Sequence, residues 1–336
     1  MGKIKVGLNL YSLTRELLNR SLDLEGCFRV TKELGMDQVE IIAFEQFKGY
    51  PYPSKELIKK TLDYSQKYGV GIYTYSANLP TNLKAGIREL SEDDMFYMVL
   101  NDVKYANLLG ATTMRQKAGI GANVLRRMIP YCERYNVSIG IEVSPGQSDI
   151  HGPMMEDYLA LFQEVKCPYI GFTPDFGIFS PERRQGGDPL KMPLFFSLSD
   201  QCNRQELIDL WDYAVLNGKT GEYVKEQLGK MDLEWEDYVL ATNILAGEKD
   251  SIIPVDMLKE MLPYTIHCHG KFHKALEDGE DWKIPTTQIL NLLKEEDYDG
   301  YIMIEYEGHD MFDIDATEAI AQHLKKYREI LGDDLR

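Results

Sequence analysis

Residues 284–308 read IPTTQILNLLKEEDYDGYIMIEYEG. The first half has helical period, and the second half is a short apolar, β-favouring run, 301–306, that finishes on Glu305 and Glu307. Upstream the same unit recurs, at residues 4–10, 38–43, 70–75, 112–116, 138–143, 169–175 and 264–269, with longer segments of helical period between. Strands that alternate with helices predict a parallel sheet with helical crossovers. Eight of them predict closure into a (β/α)8 TIM barrel, and residues 1–336 read as a single domain of that kind.

The helix boundaries carry their own chemistry. Ser91-Glu-Asp-Asp94 is a capping box, in which a hydroxyl and a carboxylate satisfy orphan N–H groups, and Gly110 stops the helix that follows. Asp315 to Glu318 caps the last helix, and Gly35 and Gly69 stand where a helix gives way to a strand. One interval breaks the rhythm. Residues 178–263 are far more chain than one helix needs, and they read as a helical insertion on the loop after the sixth strand. Loops on that face shape the substrate pockets of barrels.

A net charge of −17 disfavours nucleic acid and anionic membranes as partners. Five cysteines, an odd number with no CxxC pair, predict reduced thiols. The opening MGKIKVGLNLYSL goes straight into a strand and lacks the apolar segment of a signal peptide, and no run of 18 apolar residues exists. These features predict a cytoplasmic protein.

Barrel chemistry gathers at the C-terminal ends of strands. Strand five ends IGIEVSP with Glu142, and strand six ends GFTPDFG with Asp175. Strand seven ends TIHCHGK with His267 and His269, and strand eight supplies Glu305 or Glu307. Carboxylates at the ends of apolar strands are costly to bury unpaired, and several converging on one face would repel without a cation among them. Carboxylates with an imidazole suit Mn²⁺, and also Co²⁺, Mg²⁺ or Zn²⁺. Period two turns His267 and His269 to one side of the sheet, with His269 nearer the mouth. The competing reading is that these carboxylates pair with Lys271 and Arg115. Glu40, near the end of strand two, could touch substrate but reads first as a structural ion-pair member. Arg183, Arg184 and Lys117 could meet an anionic group, and Tyr73, Tyr75, Phe179 and Trp282 could stack on a ring or simply fill space. His273 and His309 read as loop or mouth residues, and His323, beside Lys325 and Lys326, as surface.

The 284–308 segment, the triplet His269-Gly-Lys271 and Asp175 after strand six resemble the xylose isomerase-like barrel superfamily of sugar-phosphate isomerases, ketose epimerases and inosose dehydratases. The resemblance spans nearly the whole chain. It implies one divalent metal ion, Mn²⁺ first, held by Glu142, Asp175, His269 and Glu305. It also implies proton abstraction beside a sugar carbonyl, with a metal-stabilised enolate. Ketose epimerases usually carry a substrate-binding histidine three residues after the metal aspartate, where this chain has Ile178. TPDFGIF, SPGQSDIHGP and the long insertion look more like the subgroup that includes catalytic α subunits of C-glycoside deglycosidases, which work with a small β subunit and cleave a C–C bond of an oxidised (3-oxo) C-glycoside. A homo- or hetero-oligomer is implied. In an epimerase or isomerase, Glu142 and Glu305 would be the acid/base pair; in a deglycosidase, a histidine would take the proton, His151 first and His267 second. An apurinic-site endonuclease would want more histidines than the six present. A non-catalytic sugar-binding barrel is the remaining alternative.

Overall fold

Eight strands run parallel in the computed structural model, which describes residues 3–78, 90–145, 149–153, 155–180, 198–199, 201–217, 219–245, 253–310 and 312–335. They are β1 Lys5–Asn9, β2 Gln38–Ile42, β3 Gly71–Ser76, β4 Thr113–Gln116, β5 Ser138–Val143, β6 Ile170–Pro174, β7 Cys268–Phe272 and β8 Tyr301–Tyr306. The hydrogen-bonded order is β6-β5-β4-β3-β2-β1-β8-β7. Single bridges, Phe172 to Thr265 and Asp175 to His269, join β6 to β7 and bring the sheet round into a barrel. The expected (β/α)8 architecture is present.

The anticipated caps form. Ser91 and Asp94 make the reciprocal capping box on helix Glu92–Leu108, and Asp315 accepts from the Glu318 N–H. Gly69 (φ 62°) closes helix Lys55–Tyr68 in the left-handed region, where a side chain would strain the backbone. Outward strand residues such as Val6, Leu8, Ile41, Ile139, Ile141 and Ile302 meet the helix layer in one continuous core. Inside the barrel the chain is thinned by glycine: a Cβ on Gly140 would collide with Thr173, and one on Gly7 with the sulfur of Met303. Room is thus kept for the larger polar side chains one layer higher.

The seventh strand differs from expectation. Residues 262–264 form a 3-10 turn with Pro263 at its start, and the strand proper begins at Cys268. The turn keeps residues 262–264 out of the ladder; Thr265 bridges Phe172 of β6, and pairing with β8 starts where Cys268 meets Ile302. His269 therefore lies inside the strand rather than at its end, and Lys271 joins it on the inner face. His323 is a second correction. It is 1% exposed, stacked on Phe272 at 4.0 Å and bonded through Nδ1 to the Gly279 carbonyl at 2.8 Å. Its helix turns Ala319, His323 and Tyr327 inward together, and that face decides its burial, whatever the charge of Lys325.

Between β6 and β7 lie helices Arg204–Leu216, Gly221–Leu228 and Trp235–Leu245. Leu198, Cys202, Leu207, Trp211, Val224, Leu228 and Ala241 make a hydrophobic cluster there, separate from the barrel core. Arg183 and Arg184 fall outside the described residues. All five cysteines are free thiols. No described helix is long and apolar enough to cross a membrane.

Asp102 gives a test of the helix layer. It is 1% exposed on helix Glu92–Leu108, and the Tyr50 hydroxyl donates to it at 3.3 Å. Burial pushes its carboxyl from 3.8 up to about 7, outweighing Tyr50. An acid whose folded pKa is raised stabilises the fold below its unfolded pKa, and that contribution is lost as pH climbs through the folded value. Asp102→Asn should therefore gain on the wild type by a few kcal/mol between about pH 4 and pH 8. Urea midpoints at the two ends of that range measure it, and parallel curves would show that Asp102 is solvated.

Candidate functional site

The inner-face polar residues at the C-terminal end of the barrel form one buried network. Glu40, Glu142, Asp175, His267, His269, Lys271, Arg115 and Glu305 are each at most 6% exposed. His269 is at the centre. Its Nδ1 lies 3.2 Å from Glu142 Oε1 and 3.6 Å from Glu305 Oε2, and its Nε2 lies 3.1 Å from both oxygens of Glu40. Glu305 Oε1 accepts from Asn9 Nδ2 at 3.0 Å. Glu142 is faced by Arg115 at 3.4 Å and touched by the Lys117 ammonium.

Asp175 sits at the end of β6, where the 3-10 turn Phe176–Phe179 begins. Its Oδ1 accepts from the Gly177 N–H at 2.8 Å, which aims the other oxygen at Lys271 Nζ, 2.6 Å away. Lys271 also reaches Glu307 at 3.0 Å and Glu305 at 3.5 Å. The pairing with Lys271 and Arg115 weighed in the sequence is thus present, and it does not use up the donor atoms. His269 Nδ1 and Glu305 Oε2 are buried without a hydrogen-bond partner.

The electrostatics follow from burial against charge. Burial pushes the Glu142 carboxyl up, but Arg115, His269 and Lys117 outweigh it and hold it well below the usual carboxylate range. Glu305 is held at about 2, because Lys271 and His269 overcome burial. Burial pushes Asp175 up to about 6 despite Lys271, with Glu305, Glu142 and Glu307 pressing the same way. Burial works to strip the proton from Lys271, yet Asp175, Glu307 and Glu305 hold its pKa well above normal. Among the described residues the network sets Glu40, Glu142, Asp175, Glu305 and Glu307 against Arg115, Lys117 and Lys271. Against the pull of burial, Glu40 and Glu305 also raise the His269 imidazole well above its usual pKa, and even with that fourth positive group the carboxylates stay in excess.

The ligand atoms of Glu142, His269 and Glu305 lie within 4.8 Å of one another, as do those of Glu40, His267 and His269. Either set is close enough to hold a metal ion, and carboxylate with imidazole is a donor set for Mn²⁺ or its neighbours. An ion there would meet the Glu142 and Glu305 carboxylates together with His269 Nδ1, which lies between them.

Other expected residues go elsewhere. His151 is about half exposed, and its Nε2 meets Glu260 at 2.9 Å, outside this network. His267 is fully buried, 3.5 Å from Glu40 and 3.4 Å from Thr173, and burial lowers its pKa. Tyr73 packs on Tyr301 and Tyr75 on Phe47, while Trp282 meets Phe312 edge-on. Ile178 and Phe179 are buried in the core. Asn9 was missed, although it too is a polar residue closing an apolar strand, β1, and the rule that found Glu142 would have found it.

No family model matches the chain. Among curated proteins, the C-glycoside deglycosidase alpha subunit of Microbacterium trichothecenolyticum is 28% identical over 327 residues, covering 90% of this chain and 83% of the relative. The 3'-dehydrocarminate deglycosidase alpha subunit of a Microbacterium species is 24% identical, covering 98% of this chain and 96% of its own length. Among solved structures, a sugar phosphate isomerase/epimerase from Parabacteroides distasonis superposes with TM-score 0.56 at 14% identity, covering 100% of this chain and 96% of its own. D-psicose 3-epimerase from Clostridium cellulolyticum gives 0.56 at 12% identity, over 98% and 100%. The chain is therefore a TIM barrel of the xylose isomerase-like fold, similar in sequence along nearly its whole length to C-glycoside deglycosidase alpha subunits.

Proposed function

We propose that this protein is a metal-dependent enzyme acting on a sugar derivative, and more narrowly that it cleaves the C–C bond of an oxidised (3-oxo) C-glycoside as the catalytic subunit of a two-subunit enzyme. The observation that carries the reading is the convergence of His269 Nδ1, Glu142 and Glu305, whose ligand atoms lie within 4.8 Å of one another in a buried site. Glu142, His269 and Glu305 would hold one divalent ion, Mn²⁺ first, with Asp175 completing the set from β6. When bound, the ion supplies Lewis acidity that stabilises negative charge developing on a substrate oxygen, worth several kcal/mol.

The chain's own groups do the rest. Glu142 and Glu305, both held deprotonated, converge on the Nδ1 side of His269 and can accept a proton from the carbon beside the ketone. Loss of that proton places an electron pair next to the C-glycosidic bond. The bond breaks, its electrons leave with the aglycone carbon, which takes up a proton, and the sugar is left with a C=C bond conjugated to its ketone. Lys117, about two-fifths exposed and touching Glu142, can deliver or hold charge at the mouth. His151 on its exposed loop and buried His267 are less well placed to take the proton than the two carboxylates. Ile178, buried three residues after Asp175, offers no hydrogen bond to a sugar hydroxyl, which favours the deglycosidase reading over a ketose epimerase. Residues 178–263 are proposed as an insertion within one barrel domain, on the face where a small β subunit and the aglycone would approach. A cytoplasmic location is part of the same proposal.

The test uses the full chain, alone and co-expressed with a small partner, given a 3-oxo-C-glucoside and, separately, a panel of ketoses. Expected are about one divalent ion per chain by elemental analysis, aglycone release with the partner present, and loss of release on chelation with recovery on adding Mn²⁺. Full turnover by metal-free protein would overturn the metal reading. Epimerisation of a ketose by the chain alone, with no aglycone release, would replace the narrower one.

A further inference from the structure

Each imidazole nitrogen of His269 has its own surroundings. Nδ1 faces Glu142 and Glu305, whereas Nε2 faces Glu40, whose two oxygens both lie 3.1 Å away. Glu40 comes from β2 and is fully buried. The Ser76 hydroxyl, on β3, donates to its Oε1, and His267 Nε2 stands 3.5 Å from its Oε2. His267 is itself fixed by Thr173 at 3.4 Å and by the edge of Tyr73.

We propose that Glu40 is the positioning residue of the site: it accepts the Nε2–H of His269 and thereby commits the Nδ1 lone pair to the cation held between Glu142 and Glu305. This rests on the metal reading given above. The physical need is simple. A neutral imidazole carries one proton, and with that proton on Nδ1 the ring would offer a donor to a cation. A ring flip would do similar harm by exchanging the two nitrogens. An acceptor behind Nε2 excludes both, and a partner on the far nitrogen also makes the ligand more basic. Ser76 and His267 keep Glu40 from swinging aside, since each engages a different oxygen. Glu40, His267 and His269 are themselves close enough together to hold an ion. Glu40, however, already receives Ser76 and His269, and it stands on the Nε2 side of the ring, across from Glu142 and Glu305. The proposal therefore commits to a single ion, on the Nδ1 side.

Mn²⁺ titration of the full-length metal-free protein, with circular dichroism to establish folding, tests it. The wild type should bind one Mn²⁺. Glu40→Leu should weaken binding by about 10–100-fold with the fold retained. Glu40→Gln, whose carbonyl still accepts from Nε2–H, should recover much of that loss. Unchanged affinity in folded Glu40→Leu overturns the positioning role while leaving the metal site standing. Two ions in the wild type, one of them lost in Glu40→Leu, overturn it by making Glu40 a ligand. A wild type that takes up no divalent ion removes the metal reading and this inference with it. Should the Glu40 variants not fold, Ser76→Ala takes their place: a several-fold weakening supports the role, and wild-type affinity overturns it.

Discussion

Glu142→Gln should lower turnover by about 10²–10⁴-fold and empty most of the metal site, while the barrel stays folded. The variant is nearly isosteric, so its effect is one of charge. Glu142 Oε1 lies 3.2 Å from His269 Nδ1, and its carboxylate is kept charged by Arg115 and Lys117. An amide there loses the negative charge that attracts a divalent ion and the basic oxygen that accepts a proton. It also leaves Arg115 and Lys117 facing a neutral group, which adds repulsion to any incoming cation. Asp175→Asn should act in the same direction, and more weakly on metal content, because Asp175 already shares its Oδ2 with Lys271. Elemental analysis and turnover on the same preparation provide the measurement. A Glu142→Gln protein with full metal content and full turnover would remove Glu142 from both roles.

Much of this site could be read from the chain because barrels put chemistry at one end of every strand. The eight apolar runs matched the eight strands to within a few residues, and polar residues closing them pointed to Glu142, Asp175, His267 or His269, and Glu305 or Glu307, among which the family resemblance chose His269 and Glu305. The seventh strand slipped because the run 264–269 looks β-like, while Tyr264 closes a 3-10 turn and the strand runs on through Lys271 to Phe272. A buried lysine in a strand has no signature of its own. Lys271 could be named as a partner for strand-end carboxylates, but that it gathers Asp175, Glu305 and Glu307 at once shows only in the fold. Glu40 could be read as an ion-pair member, but its partner His269 was hidden, since 229 residues separate the two. His151 could be picked out as a loop histidine, but nothing local to it foretold Glu260 as its neighbour.

Lys271→Met is expected to show how the network balances charge in the absence of a bound ion. The ammonium is the shared partner of Asp175 at 2.6 Å, Glu307 at 3.0 Å and Glu305 at 3.5 Å, and its side chain is 8% exposed. Methionine keeps the length of the stem and removes the charge. Breaking a buried ion pair by deleting one partner typically costs about 3–5 kcal/mol, since the other charge stays behind unpaired. In metal-free protein the loss should reach that size, a fall in Tm of roughly 10 °C at about 2–4 °C per kcal/mol. Its pH dependence has a definite sign. Asp175 already titrates at about 6, raised by burial, and without Lys271 it must titrate higher. Below that value the carboxyl carries a proton and the missing ammonium matters less, so the deficit should be smaller at pH 5.5 than at pH 8. Mn²⁺ should then distinguish the variant from the wild type. An ion that binds the folded site stabilises it by RT ln(1 + c/Kd), with c the free ion concentration, and it restores positive charge where the variant lacks it. Melting curves with chelator and with excess Mn²⁺ should therefore converge for the two proteins as metal is added. A deficit that ignores both pH and Mn²⁺ would mean that Lys271 supports the barrel through its methylene stem alone, and that the surplus negative charge is settled by groups other than a metal.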